Sequence, residues 1–222
     1  MSDPKIMISE EEMTLLNNTE WILTKRLLIE KVSDLFGILY TSFKKYPKPF
    51  NQVFPAGSDI MPGKISRGEN YRSLPYVILD YPAFFCKEDI LVIRTMFWWG
   101  HFFSITLQLS GSIKRKFIGD QYLISSWIKS KEYFICINKD PWEHHFESDN
   151  YVLASAITNE QIAEIWKNPF FKISKKLPIS DWIYAEEYLK KGFEELLEFL
   201  QLNFQGDGKD LLSVSPKVDS GL

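Results

Sequence analysis

The stretch from Ile90 to Leu109 constrains this chain more than any other, because it is almost wholly apolar and yet is broken by Arg94, Gly100, His101 and Gln108. A helix crossing lipid would have to bury that arginine in hydrocarbon, whereas two strands joined at Gly100 leave it free to reach a partner or water. The run therefore reads as a β-hairpin, Ile90 to Trp98 followed by His101 to Ser110, rich in β-branched and aromatic residues. Alternation sets Phe103, Ile105, Leu107 and Leu109 on one face of the second strand and Phe102, Ser104, Thr106 and Gln108 on the other. One face is core; the mixed face suits solvent or a groove.

Further strands are expected at Tyr76 to Tyr81, Tyr133 to Asn138 and Asn150 to Ala156. Helices flank them. Ser9-Glu10-Glu11-Glu12 has capping-box spacing, and Thr19 to Tyr46 carries Ile22, Leu28, Val32, Leu35, Leu39 and Phe43 as a helical stripe ended by Pro47 and Pro49. A helix is expected from Gly119-Asp120 to about Lys129. A second capping box, Thr158 to Gln161, opens a short helix to Lys167. Ser180-Asp181 precedes a long stripe of Trp182, Ala185, Leu189, Phe193, Leu196 and Leu200. Strands in mid-chain with helices at both ends define an α+β fold, a mostly antiparallel sheet of about five strands with a long N-terminal and a long C-terminal helix.

Residues 1–205 read as a single α+β domain, with a long irregular loop at 50–73, where Pro55, Gly57, Pro62, Gly63 and Gly68 interrupt any period. That loop reads either as a lid or as a plain crossover into the sheet. Residues 206–222, mostly Ser, Pro, Lys, Gly and Asp with little to bury, read as a disordered tail. A net charge of −3 gives no global reason to approach nucleic acid or an anionic membrane. The basic groups Lys114-Arg115-Lys116 and Lys172, Lys175 and Lys176 read as solvated turns. Cys86 and Cys136 allow at most one disulfide and no zinc-finger spacing, which points to a reduced, cytoplasmic protein, and the amino terminus lacks the pattern of a secretory signal.

No nucleophile elbow, Walker loop or dinucleotide fingerprint occurs, so no cofactor is named by motif. Two constellations remain. The segment from Asp140 to Asn150 concentrates two histidines and several carboxylates; if extended, it places Glu143, His145, Glu147 and Asp149 on one side and Trp142, His144, Phe146 and Ser148 on the other. Glu143, His145 and Glu147 are thus candidates for acid/base catalysis, and His145 and Glu147, with His101 as a distant third ligand, for Zn, Mn or Fe. The His-x-Glu spacing lacks the downstream histidine of facial-triad sites, and HExxH is absent. The competing reading is a hydrogen-bonded turn starting at Asp140-Pro141. The second constellation joins Trp98, Trp99, Phe102, Tyr71 and His101 with Arg67, Arg72 and Arg94 as an aromatic, arginine-lined sheet face for a protein or small-molecule partner. The same rings can equally pack beneath the terminal helices.

The leading expectation is a ligand- or protein-binding domain using that face; the alternative is a metal-dependent or acid/base enzyme centred on residues 142–150. Either is compatible with a homodimer formed through the long helices.

Overall fold

The computed structural model describes residues 6–46, 62–117 and 121–203. The expected hairpin lies at the heart of a seven-stranded antiparallel sheet. Its strands are β1 (Lys64–Tyr71), β2 (Leu74–Cys86), β3 (Asp89–Trp98), β4 (Phe102–Ser110), β5 (Phe134–Cys136), β6 (Tyr151–Leu153) and β7 (Phe170–Pro178), in the order β1-β2-β3-β4-β7-β5-β6. The α+β class and both long helices are as expected, but two strands are additional.

β1 occupies the second half of the stretch expected to be irregular; residues 50–61, Pro47 and Pro49 lie outside the described residues. Its polar sequence has no apolar alternation, and it is a strand because it pairs with β2 as the sheet's edge. β7 contains Lys172, Lys175 and Lys176, which were expected in a solvated turn. Instead it pairs with β4 over nine residues, from Phe102 opposite Pro178 to Ser110 opposite Phe170. Lys172 and Lys176 consequently fall on one face of the sheet and Lys175 on the other, where it meets Glu195 at 2.7 Å.

The helices are α1 (Glu10–Asn17), α2 (Thr19–Phe43), α3 (Gly111–Lys116), α4 (Gln121–Ser130), α5 (Asn159–Trp166) and α6 (Ala185–Asn203). Both capping boxes form, Ser9 with Glu12 and Thr158 with Gln161. The basic run 114–116 is helical rather than a turn, and Lys114 is buried, donating to the Asn168 carbonyl at 2.5 Å. The expected start of the last helix at Ser180 is replaced by a 3-10 turn, Ile179–Tyr184, in which Asp181 leaves helical geometry (φ −98°, ψ 25°) and Ser180 makes no cap. The tail at 206–222 lies outside the described residues.

One face of the sheet carries the main core. Leu79, Leu91, Ile93, Phe103, Ile105, Leu107 and Ile173 pack there against Val32, Phe36 and Leu39 of α2 and Leu189, Phe193 and Leu196 of α6. Phe43 and Phe193 stack at 3.8 Å between centroids and join the two helices. At Gly192 a Cβ would stand 2.6 Å from a methyl of Ile105, so the close approach of α6 to β4 requires glycine. The opposite face is polar at its centre, with Arg94, Ser104, Thr106, Gln108, Lys172 and Ser174. No helix covers it. It is closed by the chain between β5 and β6.

Candidate functional site

The segment 138–150 runs across this second face without forming a strand. Its backbone is held by side chains instead. Asn138 Oδ1 accepts from Asp140 N–H and Asp140 Oδ1 from Trp142 N–H, both at 2.8 Å, which turns the chain back over the sheet. Lys172 Nζ donates to the carbonyls of Pro141 (2.8 Å) and Glu143 (2.5 Å), and Asn150 Nδ2 donates to that of His145 (2.5 Å). The Tyr71 hydroxyl accepts from the amides of His144 (2.7 Å) and His145 (3.0 Å) and donates to Glu143 Oε2 (3.0 Å). These bonds satisfy backbone groups that would otherwise be buried without partners.

His144, Phe146 and Asn150 face the sheet, and Trp142 covers its margin. His144 is buried, and Arg94 Nη1 donates to its Nε2 at 3.0 Å while Arg94 itself holds Asp80 through two bonds of 2.7 and 2.8 Å. Burial, with Lys172 and Arg94 adding to it, pushes the His144 imidazole well below its ordinary range. It is therefore neutral, with its proton on Nδ1. Burial lowers the Lys172 ammonium to about 8 and raises the Cys136 thiol, so Cys136 is not an activated thiolate. Trp142 lies over Arg94 (5.5 Å), and Phe146 meets Phe102 edge-on (5.0 Å) and stacks on Tyr151 (4.6 Å).

Glu143, Glu147 and Asp149 converge around His145, which is 1% exposed. Its Nε2 lies 3.3 Å from Glu143 Oε2; its Nδ1 lies 3.5 Å from Glu147 Oε2 and 3.8 Å from Asp149 Oδ1. One donor atom from each of His145, Glu147 and Asp149 falls within 4.8 Å of the others, a separation that a single ion can bridge. Arg72 stands beside them, 3.0 Å from Glu147 and 3.6 Å from Glu143. Burial, opposed by its bonds to the two amides and reinforced by Glu143, brings the Tyr71 hydroxyl to about 12, so it remains a donor to Glu143 at neutral pH.

Next to this cluster is a cleft of about 370 Å³ with Trp98, His101, Phe102, Phe146, Glu147 and Lys176 in its walls. His101 stacks on Trp98 at 3.6 Å, and Lys176 Nζ sits 5.1 Å above the Phe146 ring. Trp98, His101, His145 and Glu147, widely separated in sequence, thus border one cleft, with Glu143 and Arg72 behind it.

Other expected residues are elsewhere. Arg67 is paired opposite Val77 and so projects on the helix-covered side, where Trp99 also packs, against Phe97. Arg94 lies beneath Trp142 and His144 and borders a separate cleft of about 620 Å³ that Asp80, Phe85 and Trp142 also line. His101 is on Trp98, outside the three-residue donor cluster, whose third member is Asp149. Sequence reasoning missed Lys172 and Lys176 as parts of this face and treated Tyr71 only as a ring. The alternation of Phe171, Ile173 and Leu177 with Lys172, Ser174 and Lys176 carried that signal.

Comparison with known protein families, curated proteins and solved structures gives no match to this chain. Among the described residues no helix is long and apolar enough to cross a membrane.

Proposed function

We propose that the protein binds a small anionic ligand in the cleft beside Trp98 and His101, through a divalent cation held at its mouth by His145, Glu147 and Asp149. The observation that carries this reading is the arrangement around one imidazole. Glu143, itself held by Tyr71, lies beside Nε2, while Nδ1 faces the carboxylates of Glu147 and Asp149 and accepts only one long bond, from the Glu147 N–H at 3.4 Å, which an ion at that lone pair would displace. One imidazole and two carboxylates suit Zn, Mn or Fe. Glu147 and Asp149 are largely exposed, so the ion keeps coordination positions for solvent or ligand. Lys176 supplies a second positive charge, and the rings of Trp98, His101 and Phe102 receive a planar body.

Calorimetric titration of chelator-treated protein with Zn²⁺ and with Mn²⁺ tests the cation. One ion per chain is expected, with affinity at least tenfold weaker in Glu147→Gln and in Asp149→Asn; no binding by the wild-type chain refutes it. A second reading is favoured by Arg72, which already neutralises Glu143 and Glu147. On that reading the cluster is a metal-free latch for the covering segment, and Arg72→Ala destabilises the fold without altering any response to metal.

A further inference from the structure

The amino-terminal arm, α1 and the first turns of α2, does not belong to the core just described. α1 contributes no buried residue, and α2 enters the core only from about Ile29 onward, through Val32, Phe36, Leu39 and Phe43. Ahead of that point, the ion pair of Lys25 with Glu69 ties α2 to the edge strand β1. Yet this arm is strongly apolar. Ten large apolar side chains from Ile6 to Leu27 are each at least 45% exposed, among them Leu15, Leu16, Trp21, Leu23 and Leu27. Together they present on the order of 1,000 Å² of apolar surface, against roughly 300–600 Å² for the largest patch of an ordinary monomer. Between α1 and the start of α2 they also frame an open groove of about 740 Å³.

We infer that this arm is the interface of a symmetric homodimer, in which two copies pair their arms antiparallel about a two-fold axis near Leu23. Area is the first reason. A stable interface buries about 800 Å² on each partner, and the arm, from the residues ahead of α1 through the first turns of α2, exposes that amount. A two-fold pairing uses the same patch on both copies and closes, so no apolar surface is left to propagate. Charge is the second reason. Glu10, Glu11, Glu12 and Glu20 precede Leu23, whereas Lys25, Arg26 and Lys31 follow it and outnumber the one carboxylate among them, Glu30. An antiparallel crossing at Leu23 sets Glu20 of each copy opposite Arg26 of the other; a parallel one would set like charges together. The inference is independent of the cleft and its cation.

The test is sedimentation equilibrium of the full chain from about 1 to 100 μM, with Leu23→Glu/Leu27→Glu, Glu20→Arg, Arg26→Glu and the combined charge exchange alongside. The wild-type chain is expected at twice its 26.0 kDa mass. Leu23→Glu/Leu27→Glu is expected to weaken association at least 100-fold with unchanged thermal stability extrapolated to low concentration. Each single charge reversal weakens it, and the exchange restores it. A wild-type monomer throughout the range overturns the proposal, as does a dimer that persists in Leu23→Glu/Leu27→Glu. A monomer destabilised by that variant places a segment of the same chain on the arm and also overturns it. Failure of the charge exchange to restore association overturns the antiparallel pairing.

Discussion

Replacing Lys172 by methionine gives the covering segment's main anchor a measurable pH signature. The Lys172 side chain is fully buried, and burial lowers its ammonium from an ordinary 10.5 to about 8. That depression is worth about 3 kcal/mol of difference between amine and ammonium. Below about pH 10.5 the unfolded chain takes up a proton at this lysine, and the native chain does so only near 8. The stabilising contribution is thus fully present above 10.5 and is lost as pH falls toward 8. Integrated from about pH 7.5 to about 9.5, it amounts to about 2 kcal/mol, or roughly 4–8 °C in melting temperature for a chain of this size. Cys136 opposes it, because a thiol raised by burial loses stability once the unfolded thiol ionises. The comparison is therefore made in a Cys136→Ser background. Urea unfolding followed by circular dichroism at the two pH values should show the stability of Cys136→Ser relative to Cys136→Ser/Lys172→Met rising by about 2 kcal/mol. Parallel pH dependence of the two proteins would refute the reasoning.

On the acid side, neutral buried His144 makes the fold lose stability as pH falls below about 6.5, where the unfolded imidazole takes up a proton and the native one does not; urea midpoints of His144→Gln should fall less steeply toward pH 5, and equal slopes would reject the assignment. Tyr71→Phe leaves two amides without their acceptor and Glu143 without its donor, costing about 2–3 kcal/mol in denaturant unfolding. It should also weaken cation binding about tenfold in calorimetry, and loss of neither quantity would remove Tyr71 from its positioning role. Phe193→Ala opens a cavity beneath the Phe43 stack and should cost about 3–5 kcal/mol in the same unfolding assay, with a cost below about 1 kcal/mol contradicting the packing.

Much of this fold was legible because its signals are local. The β3–β4 hairpin follows from two-residue alternation around Gly100, and the helix starts at Ser9 and Thr158 from hydroxyl and carboxylate or amide groups three residues apart. Even the grouping of Glu143, His145, Glu147 and Asp149 was visible as alternation, although the segment is irregular and side-chain bonds, not a strand ladder, keep its sides apart. What lay beyond reach depends on partners distant in sequence. A buried ammonium at Lys172 is tolerable only because carbonyls 31 and 29 residues earlier receive it, so its composition alone reads as a solvated turn. The polar edge strand β1 exists through pairing with β2, and that register alone sends Arg67 to the helix side. The sequence by itself determined which side chains share a local face. The tertiary structure decided which of those faces meet, because burial, unlike alternation, is set by whatever the rest of the chain brings over it.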